Sequence, residues 1–127
     1  MALHFYFDEA KTNQISEGTW ANPDVVTGSG TTGFARELAI YVGNDSAIKR
    51  YESVAVTAVN DDAEVDIKYA PDEAGSPGAW ADTLALLDIG ASGVIKIWRK
   101  VTVAAGLPSQ NRINIKHRVT CEEYAVD

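Results

Sequence analysis

The sequence predicts an all-β fold, an antiparallel sandwich or barrel of about seven or eight short strands. Three observations carry that expectation. Apolar and polar residues alternate with a period of two in run after run. Gly, Pro, Asn and Asp cluster between those runs. No segment reads convincingly as a helix. With 127 residues, the chain is long enough for a single domain with a core that needs no staples. Within it, residues 1–33 read as an N-terminal strand followed by an extended arm, and residues 34–127 as the β body.

Residues 3–7 (LHFYF) form the first expected strand, with Leu3, Phe5 and Phe7 on one face and His4 and Tyr6 on the other. Residues 8–33 hold no helical or strand period and are rich in Gly, Thr, Ser, Asn and Asp. A loop this long is uncommon inside a compact domain. Trp20 within it needs something to bury against, either a neighbouring subunit or its own domain. Residues 34–42 (FARELAIYV) alternate as a strand and end in the turn Gly43–Ser46. Residues 52–59 are rich in β-branched side chains, and Asn60, Asp61 and Asp62 make the next turn. In residues 64–70, Val65, Ile67 and Tyr69 point inward and Glu64, Asp66 and Lys68 outward, the pattern of a half-solvated antiparallel strand.

Residues 71–77 (PDEAGSP) read as a loop. Residues 80–89 fit either a helical turn or, better given the flanking Gly90 and Gly93, a strand with a bulge. Residues 94–103 (VIKIWRKVTV) are the longest expected strand, with Ile95, Ile97, Arg99, Val101 and Val103 on one face. Residues 112–121 alternate again, with Ile113, Ile115, His117, Val119 and Cys121 together. The long connections suit a Greek key better than a meander.

The residues offer little for catalysis. There is no GxSxG elbow, and the two histidines are His4 and His117. His117 lies on an apolar strand face, where a structural role is the plainer reading. Cys121 is the only cysteine, so no intrachain disulfide forms. It lies about 13 Å along the strand from His117, too far for a Cys–His pair. Asp61, Asp62, Glu64 and Asp66 lack the spacing of a calcium loop and read as a solvated edge, with calcium at Asp61 and Asp62 the residual alternative. No other metal and no cofactor is implied. Trp20, Trp80 and Trp98 are candidates for stacking on a sugar, although Trp98 beside Lys96 and Lys100 also fits an ordinary sheet face.

Charge is unevenly spread. The chain carries 11 Lys and Arg against 18 Asp and Glu, for a net charge of −7. Residues 89–121 hold Lys96, Arg99, Lys100, Arg112, Lys116 and Arg118 and no acid. If strands 94–103 and 112–121 pair, they build a basic region on an acidic body. Either those cations meet acids of the same domain, such as Glu64 and Asp66, or they form a face that docks on an identical copy or an acidic scaffold. The acidic remainder argues against nucleic acid. No apolar run reaches membrane-spanning length, and the N-terminus lacks the basic region of a signal peptide.

Several of these runs resemble a known group. They are Phe34–Asn44 ending in a turn, Trp80 with its Leu-rich continuation, Ile97-Trp98-Arg99, and the strand end Val103–Gly106. Together, over residues 34–121, they resemble small Ig-like β-sandwich proteins of tailed-phage virions, including capsid decoration and other accessory structural proteins. The resemblance implies an Ig-like sandwich without catalysis that coats or cements a capsid or joins parts of the tail, acting in the virion after assembly in the host cytoplasm; a carbohydrate-binding or host-attachment module and a tail or neck component are the alternatives. The implied partners are copies of the chain itself and a major capsid or other virion protein. It supplies no binding residues, and residues 8–33 match nothing in it. On the residues alone, contacts are expected from Leu3, Phe5, Phe7 and Trp20. A second surface is expected from Lys96, Trp98, Arg99, Lys100, Arg112, Lys116 and Arg118.

Overall fold

A computed structural model describes residues 2–15, 24–28, 33–59, 65–103 and 110–126, with backbone alone at 25–28 and 110–116. These residues form nine strands: β1 (Leu3–Tyr6), β2 (Asp24–Gly28), β3 (Phe34–Asn44), β4 (Lys49–Val59), β5 (Val65–Glu73), β6 (Ser76–Pro77), β7 (Thr83–Ala85), β8 (Val94–Val103) and β9 (Gln110–Ala125). There is no helix among the described residues. The first sheet has the order β1-β3-β8-β5-β6 and the second β2-β9-β4-β7. Every pairing is antiparallel. The fold is an antiparallel β-sandwich, as the alternation predicts. It is no meander, because among the described strands β5 and β6 are the only consecutive pair that are neighbours.

The apolar face of each strand supplies the core between the sheets. Ile40 and Val42 come from β3, Val54 and Val56 from β4, Val65 and Ile67 from β5, and Ile97, Val101 and Val103 from β8. The β3–β8 register is unbroken from Phe34↔Val103 to Gly43↔Val94, so the alternation in both strands keeps one face inward over the whole pair. At the β3–β4 arch the amide of buried Asn44 donates to the carbonyls of Lys49 (2.8 Å) and Gly90 (3.0 Å). Its Oδ1 accepts the Ser46 N–H at 2.9 Å. Opposite β9, β4 carries a bulge between Glu52 and Ala55, with Ser53 at φ 52°.

Four expectations need correction. Residues 24–28 are a strand, β2, paired with β9, although their sequence shows no alternation; hydrogen bonding to a long neighbour, not side-chain pattern, fixes them. Residues 71–77 are a hairpin rather than a loop: Ala74 (φ 55°) and Gly75 (φ 92°) make a two-residue turn of the primed type, with Asp72 opposite Pro77. Pro77 is tolerated because β6 is an edge strand. Residues 80–89 contribute the three-residue β7 and two isolated bridges, Tyr69↔Ala81 and Tyr51↔Ile89, while the segment passes from one sheet to the other. Tyr6, expected on the polar face of β1, is buried, and its hydroxyl donates to Asp45.

The start of the expected arm packs on its own domain. Phe7 N–H donates to the Asn13 carbonyl and Ile15 N–H to the Phe5 carbonyl, both at 2.9 Å. Asp8 accepts the backbone N–H of Thr12 and Asn13. Lys11 reaches the carbonyls of Asn44 (2.9 Å) and Ser92 (3.0 Å). Ile15 is in the core. With β1 in one sheet and β2 in the other, both described parts of residues 1–33 belong to the sandwich. Trp20 lies outside the described residues.

Candidate functional site

Among the described residues, one charged cluster lies in the interior, and it spans both sheets. Asp24 opens β2, and Arg99 lies on the inward face of β8. They are 1% and 2% exposed. The guanidinium grips the carboxylate with two bonds, Nε to Oδ2 at 2.8 Å and Nη2 to Oδ1 at 2.7 Å, the bidentate geometry that planar Arg favours. Its third nitrogen, Nη1, donates to the Arg36 carbonyl of β3 at 2.9 Å. From β9, His117 Nε2 meets Asp24 Oδ2 at 2.8 Å. Tyr69 of β5, fully buried, closes the set with a hydrogen bond between its hydroxyl and His117 Nδ1. An ionised carboxylate only accepts, so Nε2 carries a proton, and in the neutral ring this leaves Nδ1 to accept from the phenol. The His117 ring also packs against Phe5, with centroids 5.4 Å apart.

Electrostatics and burial support these roles. Burial pushes the Asp24 carboxyl up, but the hydrogen bonds from His117 and Arg99 and the charge of the guanidinium outweigh it, leaving Asp24 below the usual carboxylate range. Burial, followed by the nearby Asp24 charge, pushes the Tyr69 phenol far up, so it stays protonated. The quartet is a donor–acceptor chain whose charges cancel within the Arg99–Asp24 pair. It ties β5 and β8 of one sheet to β2 and β9 of the other.

The structure disperses the expected contact residues. β8 is hydrogen-bonded to β3 and β5, and β9 to β2 and β4; the two basic strands therefore do not pair, and the single basic region does not form. Arg99 points into the core, because it occupies the inward register of β8 between Ile97 and Val101. Phe5 and Leu3 are core residues, and Phe7 is half-buried against them. Lys96, Trp98 and Lys100 lie on the outer face of the first sheet, whereas Arg118 is exposed on the second. The side chains of Arg112 and Lys116 lie outside the described residues, as do Asp61, Asp62 and Glu64.

On the outer face of the first sheet, cations meet acids of the same chain. Lys96 lies 3.7 Å from Asp72, and Lys68 lies 2.7 Å from Asp82 and 3.8 Å from Asp66. The Trp98 indole N–H donates to Asp72 at 2.9 Å. Lys96 lies over the Trp98 ring at 5.2 Å and Lys100 over Trp80 at 4.6 Å. β5 lying beside β8 thus gives Lys96 an acidic neighbour in Asp72, while Lys100 lies over an aromatic ring instead. Beside β1, a cleft of about 320 Å³ is lined by Leu3, His4, Phe5, Val59, His117, Arg118 and Val119. Cys121 is half-buried against the core, and burial raises its thiol above the usual range. Among the described residues, no three metal-ligating side chains come together.

Asp24 and Tyr69 are the members of the quartet that no site expectation named. A signal was present: Arg99 and His117 both occupy inward positions of alternating strands, and a buried guanidinium requires a carboxylate. Neither a family model, nor a curated protein, nor a solved structure matches this chain.

Proposed function

We propose that this chain is a non-enzymatic structural protein of a tailed-phage virion, a capsid decoration or accessory subunit that docks in many copies on a shell or other virion protein. The observation that supports this reading is the buried quartet. Asp24, Arg99, His117 and Tyr69 are the kinds of groups that acid–base chemistry uses, yet each bonds to another member of the set behind the sheets. Used in that way, they make the sandwich rigid and fix how the two sheets sit on each other, as a building block requires.

The test is the mass of the purified protein in solution, alone and mixed with capsid shells. Binding to shells in a fixed ratio is the expected result. A protein that ignores shells and other virion parts would overturn the proposal. A second reading, a glycan-binding or host-attachment module, draws on Trp98 and Trp80 on the outer face of the first sheet. It predicts glycan-array binding that Trp98→Ala abolishes. The lysines already stacked on both rings favour the first reading, since a sugar would have to displace them.

A further inference from the structure

The outer face of the second sheet has opposite charges at its two ends and small side chains between them. Along β9, Arg118, Thr120 and Glu122 are exposed at alternate positions, so they share that face. Across on β4 their partners are Thr57, Ala55 and Glu52. Thr83 and Ala85 of β7 extend the Arg118 and Thr120 rows. Among the described residues, the row through Thr120 holds only the short side chains of Thr120, Ala55 and Ala85.

The acidic end is unbalanced. Glu52 and Glu122 are directly opposite each other, a pairing of like charges that destabilises a sheet. Arg50 pairs with Glu52, while Glu122 accepts the Tyr124 hydroxyl at 3.0 Å. At the other end, Arg118 has no ion-pair partner among the described residues. About 13 Å of strand separates it from Glu122, more than the screening length of about 8 Å at physiological salt. Beyond the acids, Ile48, Tyr124 and Val126 expose apolar surface, Ile48 at 67%.

We propose that this face is the contact between two copies of the chain, related by a two-fold axis that lies between the facing sheets and crosses β9 at Thr120. The charges select the partner. Thr120 is the midpoint between Arg118 and Glu122, so the axis sets Arg118 of each copy against Glu122 and Glu52 of the other. Both unbalanced ends are then compensated twice, as an isologous interface demands. The short Ala and Thr side chains let the two sheets approach to the usual spacing of about 10 Å. This contact rests on the reading of the protein as a building block used in many copies.

Sedimentation equilibrium of the full chain at low salt tests it. The parent is expected to be a dimer that weakens as salt is raised. Arg118→Glu and Glu122→Arg are each expected to weaken association about tenfold or more, with melting temperatures showing that both stay folded. Mixing the two variants restores both charge contacts in a heterodimer, so the mixture is expected to dimerise again. A monomeric parent, a dimer indifferent to both substitutions, or a mixture that stays monomeric would each overturn the contact. A monomer that still binds shells in a fixed ratio overturns this contact and leaves the proposed function standing. A protein that dimerises but ignores shells does the reverse.

Discussion

Two sets of ion pairs, one inside the sandwich and one on the outer face of its first sheet, each join a basic side chain to an aspartate, to opposite effect. Inside, Arg99 and Asp24 are joined by two short bonds, and His117 and Tyr69 continue the chain. Outside, Lys96 lies 3.7 Å from Asp72 with about a third of its side chain in solvent. Water can replace the outer partner at once and cannot replace the inner one. The comparison teaches that a buried pair is judged by what its loss leaves behind, not by the strength of the bond itself.

The largest effect should come from Asp24→Ala. It leaves the Arg99 guanidinium and His117 Nε2 facing each other without a carboxylate. The expected loss is about 3–5 kcal/mol in denaturant unfolding, a large share of the stability of a domain this size. A loss below about 1 kcal/mol would break the comparison, because it would mean that the interior pair behaves like a surface one.

Acid gives a graded version of the same experiment. Asp24 titrates below the ordinary carboxyl value of 3.8, because the bonds from His117 and Arg99 outweigh the burial that pushes it up. Its contribution is therefore fully present above pH 3.8 and is lost as pH falls through the lower folded-state value. The stability gap between the parent and Asp24→Ala should shrink as pH falls below about 4. Denaturation midpoints from neutral pH downward check this; a gap that narrows above pH 5 would assign the effect to another group.

How much of this was legible in the sequence differs by element. β8 could be read residue by residue, because ten residues of strict alternation leave one choice of face. The same alternation put Arg99 inside, but charge favoured a surface reading, and the carboxylate that reconciles the two lies 75 positions away in sequence. β2 was hidden because its pairing with β9 is a long-range contact, and Asp-Val-Val-Thr-Gly carries no period of its own. The hairpin at Ala74 and Gly75 was masked by its two prolines, which usually mark loops; Pro77 is accommodated because β6 is an edge strand. That the basic strands would lie in opposite sheets depended on strand order, which local patterning does not encode.

Tyr69→Phe sharpens the comparison at the end of the interior chain. It keeps the ring and its packing on His117, at a centroid distance of 5.5 Å. It removes the phenol that bonds to Nδ1. The Arg99–Asp24 pair stays intact, so only one neutral hydrogen bond is lost and one buried nitrogen is left without its donor. The expected cost is about 1–2 kcal/mol, between the Asp24 variant and any surface change. A cost equal to that of Asp24→Ala would mean that the four groups act as a single unit that fails whole.

The smallest effect belongs to the outer face. Lys96→Ala removes the ammonium from Asp72 and from the Trp98 ring. Asp72 keeps the indole N–H of Trp98 at 2.9 Å and access to water, so no group is stranded. Side-chain entropy regained by the loss of a long lysine offsets part of what the pair contributed. The expected change is less than about 1 kcal/mol, and it should shrink further in high salt, because an exposed pair is screened. The Asp24→Ala loss, measured in parallel, should hardly respond to salt, since ions do not reach the interior. A Lys96→Ala loss of several kcal/mol that persists in salt would show that the Trp98–Asp72–Lys96 group is as closed to water as the quartet.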